Sequence, residues 1–145
     1  MEPQNYKNHI RYYTQHHFVF YPLAGAVFGV CVSFGFQSDE FKLLWFMMSA
    51  IVAMIVWLSF MVRQHYALGN QNRIARTELR FRYYRLTQKR LEDIEQHISL
   101  SQLLALRFAS DDELVTLIER TVKEKLTPDE IKKAIRNWLP DYMRL

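Results

Sequence analysis

The chain lacks most of the residue patterns on which enzymes and redox proteins depend. It has one cysteine, Cys31, in 145 residues, so no disulfide can form within the chain. It has no recognisable nucleotide-binding motif, and no nucleophile and base stand in an arrangement that indicates catalysis. His9, His16 and His17 have no accompanying cysteine or carboxylate cluster, which argues against a metal or haem site. We therefore expect a non-enzymatic protein with no cofactor, no metal and no small-molecule substrate.

Charged side chains are missing from two long apolar runs, residues 18–36 and 43–62. At about 1.5 Å per residue, each run is long enough to cross a hydrocarbon core of roughly 30 Å. Ionisable groups inside a membrane usually mark ion or proton pathways, so their absence argues against translocation by this chain. The first run is also longer than the apolar region of a typical signal peptide. The two runs predict a transmembrane hairpin embedded in the lipid bilayer.

Positive charge is concentrated directly after the second run. Residues 63–90 contain eight Lys and Arg and one Glu, whereas the six-residue connection between the runs is net negative. The positive-inside rule then predicts a multi-pass membrane protein with both termini in the cytoplasm. About a hundred residues remain outside the membrane, which is enough for one small helical domain and excludes a large enzymatic one.

The expected fold is all-α. No strong helix stop follows Val62 until about residue 87, because an isolated Gly69 followed by Asn70 is tolerated in a helix. The second transmembrane helix is therefore expected to extend into a cytoplasmic stalk. The predicted organisation is an N-terminal tail (1–17), a hairpin (18–62), a basic helical stalk (63–90) and a small cytoplasmic domain (91–145).

The last third of the chain predicts a bundle of three short amphipathic helices. Ser101 is expected to cap the first, and Ser110 with Glu113 to form a capping box for the second. Thr127 is expected to begin the third helix, which continues at helical spacing through Trp138. Such a small bundle has a marginal core on its own. We expect three apolar residues of the stalk to complete that core: Ile74, Phe81 and Tyr84.

Small residues recur every four positions in the first apolar run, at Gly25, Gly29 and Ser33, and again in the second, at Ser49 and Ala53. Such strips allow close approach of another helix. Two interpretations remain open. The strips pack the two helices of the hairpin on each other, or they contact a different chain, which is either a second copy or a larger membrane protein.

The basic stretch also has two interpretations. Its cations are candidates for an interaction face that binds an acidic partner protein, or RNA in a ribosome. Alternatively, the acidic residues after position 90 fold back and balance the charge within the chain. The cations concerned are Arg73, Arg76, Arg80, Arg82, Arg85, Lys89 and Arg90.

Three segments carry a resemblance to a known family. They are QNYKNH (4–9), ALRFASDDEL (105–114) and IKKAIRNW (131–138), in this order around the two apolar runs. With them, the chain resembles a family of small bacterial two-span membrane proteins of unknown function. The resemblance implies location in the bacterial cytoplasmic (inner) membrane and a helical cytoplasmic domain. It implies no activity, substrate or cofactor.

These observations lead to one functional hypothesis and one alternative. The first is a membrane-anchored interaction or scaffold protein, either an accessory subunit of a larger membrane complex or a homo-oligomer. The alternative is a membrane tether for ribosomes or other nucleic acid through the basic stalk.

Overall fold

The computed structural model describes residues 4–9 and 12–141, and it contains helices and no strand within those ranges. The described residues form two compact units. The paired-helix unit covers residues 12–69, and the helical unit combines residues 4–9 with 70–141.

The paired-helix unit is built from two long apolar helices. A π-helical turn, Gln15–Phe20, leads into α1 (Tyr21–Gln37), which has Pro22 in its first turn, where a missing N–H costs little. The second helix is α2 (Lys42–Met61). Two helical runs, Gln15–Gln37 and Lys42–Thr87, are long and apolar enough to cross a membrane.

The two apolar helices contact each other close to the turn that joins them. The ring of Phe34 stacks on Trp45 with centroids 5.0 Å apart, and Phe36 meets Phe46 edge to face at 5.3 Å. Gly35 is buried here, and a Cβ on it would lie 3.0 Å from the ring of Phe46. The lack of a side chain at Gly35 therefore allows the helices to approach closely.

Helical structure continues beyond the second apolar helix. A π-helical turn, Val62–Ala67, follows α2 and leads into α3 (Leu68–Thr87), so the run includes Gly69. Gln88, with φ of 57°, adopts the left-handed conformation that commonly follows a helix end. The helical run from Lys42 to Thr87 is 46 residues long.

Four helices follow α3 in the described chain, rather than the three expected. They are α4 (Glu92–Glu95), α5 (Leu100–Leu106), α6 (Asp111–Glu124) and α7 (Pro128–Ala134). The unexpected one, α4, is a single turn, and its Glu95 is buried. A one-turn helix has no apolar periodicity, which is why the sequence did not indicate it.

The caps of these helices differ in part from expectation. Ser99, rather than Ser101, caps α5, and it forms a capping box with Gln102. Ser110 is the N-cap residue of α6 but makes no side-chain capping bond, so the predicted capping box with Glu113 is wrong. Both Glu113 carboxylate oxygens instead accept backbone N–H groups, of Arg136 at 3.1 Å and of the next residue at 3.0 Å.

The predicted start of the last helix is confirmed, but its predicted end is wrong. Thr127 and Glu130 form the reciprocal capping box, with Pro128 in the first turn. The helix stops at Ala134, and Trp138 forms an antiparallel bridge with Ala109. The backbone after α7 therefore forms hydrogen bonds to the α5–α6 connection instead of continuing the helix.

The core of the helical unit lies between α3 and the helices that follow it. The face of α3 that enters this core carries Ala75, Leu79 and Tyr83. The remaining core residues come from the later helices and their connections: Leu91, Ile98, Leu103, Ala105, Leu106, Phe108, Ala109, Leu114, Leu117, Ile118, Ile131 and Ile135.

Candidate interaction surfaces

An apolar stripe runs along the exposed side of α3. Ile74, Phe81 and Tyr84 are 58%, 68% and 49% exposed. The prediction that these three residues complete the core is therefore wrong. At 100° per residue they lie on the side of the helix opposite Leu79 and Tyr83, which do enter the core. Thr77, also exposed, lies within the stripe, and its hydroxyl donates to the Arg73 carbonyl at 3.0 Å.

The flank of α3 beside α4 is occupied by ion pairs. The Glu95 carboxylate is only 5% exposed, and each of its oxygens accepts from a different arginine, Arg76 or Arg80. The Arg80 Nε lies 2.8 Å from the carboxylate. Arg80 also lies 3.7 Å from Glu92, which is more exposed. These contacts confirm the interpretation in which acidic residues after position 90 fold back onto the basic stretch.

The environment of Glu95 stabilises its charged form. Burial raises the pKa of this carboxyl, but the hydrogen bonds from Arg76 and Arg80 outweigh burial, so the pKa lies below its usual value. The carboxylate is thus ionised at neutral pH and neutralises positive charge on α3. This neutralisation reduces the positive charge that the basic stretch presents to an anionic partner.

A second arginine cluster joins α3 to the start of α6. Arg82 donates from Nε to the Asp111 carboxylate at 3.0 Å. Its two terminal nitrogens donate to the carbonyls of Arg107 at 3.0 Å and Ala109 at 2.7 Å. Arg85 pairs with the other oxygen of Asp111. Since the Arg82 side chain is only 15% exposed, it is a structural connection within the helical unit.

The remaining residues of the predicted basic face are more exposed to solvent. Arg90 lies 3.8 Å from Glu92 and keeps a 71% exposed side chain. Lys89 and Arg73 are exposed, as is Glu78 on the same helix. Within residues 4–9 and 12–141, neither Arg73 nor Glu78 forms an ion pair within 4.0 Å. The stripe on α3 therefore has a cation and an anion beside it that remain available.

The three segments that carried the family resemblance come together in the helical unit. His9 of the first segment packs against Phe108 of the second, with ring centroids 6.0 Å apart, and against Trp138 of the third at 5.9 Å. The His9 Nδ1 lies 2.7 Å from the Tyr6 carbonyl oxygen. The amide oxygen of Gln4, a buried residue, accepts the backbone N–H of Asp141 at 2.7 Å.

This segment is also attached to α7 by polar contacts. The Tyr6 hydroxyl donates to Asp129 at 2.6 Å, and Lys133 reaches the same carboxylate at 2.7 Å. Hydrogen bonds from Lys133 and then Tyr6 lower the pKa of Asp129. The described part of the N-terminal segment thus docks on its own helical unit. These contacts account for the segment structurally.

The small residues of the apolar helices divide into two groups. Ser49 is buried, and its hydroxyl donates to the Phe46 carbonyl at 2.8 Å. Gly25 and Gly29 are exposed, and no atom lies within 4 Å of a Cβ built on either. Packing of α1 on α2 through these two glycines is therefore not found. The alternative, in which the glycines contact a different chain, stays a prediction.

Ser33 and Ala53, the other two small residues of these strips, are exposed as well. Ser33 is exposed and accepts from the Gln37 side chain at 2.8 Å. Ala53 lines a groove of about 560 Å³ between the two apolar helices, together with Gly25 and aromatic side chains such as Trp57. The helices therefore separate on this side instead of packing tightly.

In the described part of the chain, no group of three His, Cys, Asp or Glu residues could hold a metal ion. Two of the three acidic residues at the start of α6 have structural partners, since Asp111 pairs with arginines and Glu113 accepts backbone N–H groups.

The chain belongs to a family of unknown function, DUF6526, whose model matches residues 1–145. No curated protein and no solved structure matches it.

Proposed function

We propose that this chain is a non-enzymatic interaction protein anchored in the bacterial cytoplasmic membrane by a transmembrane hairpin formed by α1 and α2. In this proposal both termini lie in the cytoplasm, and the helical unit presents a binding surface there. The partner is another membrane protein or another copy of the chain. The observation that carries the proposal is the exposed apolar stripe of α3.

The membrane anchor is supported by length, composition and exposure. In the most apolar part of the two helical runs, only 11% and 6% of residues are buried inside the structure. A core helix of a soluble protein buries most of such a segment, whereas a lipid-facing helix leaves it exposed to acyl chains. The cations that follow α2 support cytoplasmic termini through the positive-inside rule.

The interaction role is supported by the two faces of α3. One face enters the core through Leu79 and Tyr83, so the helix is held in place by its own unit. On the opposite face, Phe81 and Tyr84 are exposed to solvent, as is Ile74. Contiguous apolar side chains exposed on a small domain mark an interaction site, because exposing them to water is unfavourable.

RNA binding through the basic stretch receives less support. Five of its seven cations already contact carboxylates of the same chain. Releasing them for phosphate would break the pairs around Glu95, whose carboxylate is nearly fully buried.

The test is to extract the full chain in mild detergent and measure the mass of the purified species, with identification of anything bound. We expect an assembly heavier than the 17.5 kDa chain. The triple variant Ile74→Ser, Phe81→Ser, Tyr84→Ser should release the partner and run as a single chain. Its helicity should be unchanged, because none of the three side chains enters the core.

Leu100→Ser provides the matched control, since Leu100 is 45% exposed and belongs to α5, not to the stripe on α3. This variant should keep the partner. A wild-type chain that is monomeric with nothing bound would contradict the proposal. So would an assembly that the triple variant leaves intact.

A further inference from the structure

We propose that α3 pairs in parallel with α3 of a second copy of this chain. The contact surface is the stripe formed by Ile74, Thr77, Phe81 and Tyr84. This inference rests on the proposed function, because insertion of both hairpins in the same orientation makes a parallel arrangement the natural one.

The stripe has the spacing of a coiled-coil seam. Its residues recur at intervals of three, four and three, which places Ile74 and Phe81 at a positions and Thr77 and Tyr84 at d positions. The seam is unoccupied by the rest of the helical unit, since all four residues are exposed. Because the core-facing side of α3 lies opposite, a second helix can approach the seam without displacing the unit's own helices.

Charge beside the seam favours a second copy of this chain over another occupant. With this register, Arg73 is a g position and Glu78 is the e position five residues later. In a parallel pair, a g residue lies beside the e residue of the following heptad on the other chain. Arg73 would therefore meet the partner's Glu78, and the symmetry of the dimer creates this ion pair twice.

The next g and e positions carry like charges, Arg80 and Arg85. In a parallel pair these would also lie beside each other, but each already forms an ion pair within its own chain. Arg80 contacts the buried Glu95 carboxylate, and Arg85 contacts Asp111. The internal ion pairs thus weaken the repulsion that would otherwise oppose a parallel dimer.

An antiparallel pair would have a different charge pattern. It places g residues beside g residues and e residues beside e residues, so that, with the whole stripe paired, Glu78 of one chain would lie beside Glu78 of the other. The parallel arrangement is therefore the one that pairs Arg73 of each chain with Glu78 of the other. A seam of two heptads is short, but anchoring in one bilayer raises the effective concentration of the two helices.

The test uses two differently tagged full-length copies that are co-expressed and extracted together in mild detergent. The measurement is the amount of one tag retained with the other. Two wild-type copies should co-purify. When both copies carry Arg73→Glu, or both carry Glu78→Arg, each ion pair becomes a repulsion, and retention should fall roughly tenfold.

Combining the changes should restore the dimer. A copy with Arg73→Glu paired with a copy with Glu78→Arg regains two attractive contacts, as do two copies that carry both changes. Glu119→Arg, an exposed charge reversal on α6, is the matched control and should leave retention unchanged. Single reversals without effect, or combinations that fail to recover, would overturn the inference.

The outcome also separates this inference from the proposed function. If wild-type copies do not retain each other but the stripe binds a different protein, the second-copy inference fails and the interaction role stands. If the stripe variants change neither self-association nor any other binding, both fail. Stripe-dependent binding to protein-free vesicles instead of a second copy would likewise overturn the inference.

Discussion

Replacing Leu79 by alanine is expected to lower the free energy of unfolding of the helical unit by about 3 kcal/mol. Leu79 is 1% exposed and belongs to the core face of α3, so alanine leaves a cavity. Phe81→Ala, two residues later, should change stability by no more than about 0.5 kcal/mol, because its ring is 68% exposed and contributes little to folding.

The comparison is measured on the full-length protein by hydrogen exchange of the α5 and α6 backbone amides, which reports opening of the helical unit. Leu79→Ala should accelerate exchange across both helices, and Phe81→Ala should not. Measurements on a background with Ile74→Ser and Tyr84→Ser, which leaves Phe81 in place, reduce any contribution of a partner. Equal destabilisation by the two changes would contradict the assignment of the two faces of α3.

Glu95→Gln is expected to lower the stability of the helical unit by about 2 kcal/mol at neutral pH, because two arginines lose a buried carboxylate partner. The value is below that for a fully buried pair, since the Arg76 side chain is 46% exposed and can be hydrated. Glu92→Gln is the control. Its carboxylate is more exposed and lies 3.7 Å from Arg80, so its loss should cost at most about 0.5 kcal/mol.

The same substitution changes how stability depends on pH. The pKa of Glu95 is lower in the folded chain than the unfolded value of about 4.3. Its contribution is therefore complete above the unfolded pKa and is lost as pH falls through the folded pKa. Between neutral pH and strong acid, Glu95→Gln should lose less stability than the wild type. An identical acid profile for both proteins would show that the Arg76 and Arg80 contacts do not stabilise the fold.

The sequence predicted the elements with strong local signals. The two apolar runs became helices close to their predicted bounds, and Thr127 with Glu130 formed the expected capping box. Ser110 shows where such signals are ambiguous. It occupies the N-cap, but the Glu113 carboxylate instead accepts a backbone N–H that follows α7. This contact joins residues that are distant in the chain.

The two faces of α3 could not be told apart from the sequence. Both have apolar residues at helical spacing, and spacing alone does not distinguish the expected core residues Ile74, Phe81 and Tyr84 from those on the other face. The structure buries Ala75, Leu79 and Tyr83 instead, because the arginines that bind Glu95 and Asp111 fix which side of the helix meets the later helices. Pairing of these particular ions depends on tertiary geometry, which spacing along the chain does not contain.

The candidate site was predictable in composition but not in arrangement. The basic stretch and its acidic counterpart were evident from charge, whereas the isolation of Arg73 and Glu78 from the ion pairs required the structure. One signal was present in the sequence: the intervals of three and four from Ile74 to Tyr84 already have the spacing of a coiled-coil seam.

Disulfide cross-linking in membranes tests the central claim, that the exposed stripe of α3 is an interface between copies, most directly. In a Cys31→Ala background, Thr77→Cys places one thiol at a d position, where the two copies of a parallel dimer bring it close to itself. Thr116→Cys, an exposed threonine on α6, is the matched control. We expect a covalent dimer on mild oxidation for Thr77→Cys alone. No dimer at position 77, or equal dimer at both positions, would contradict it.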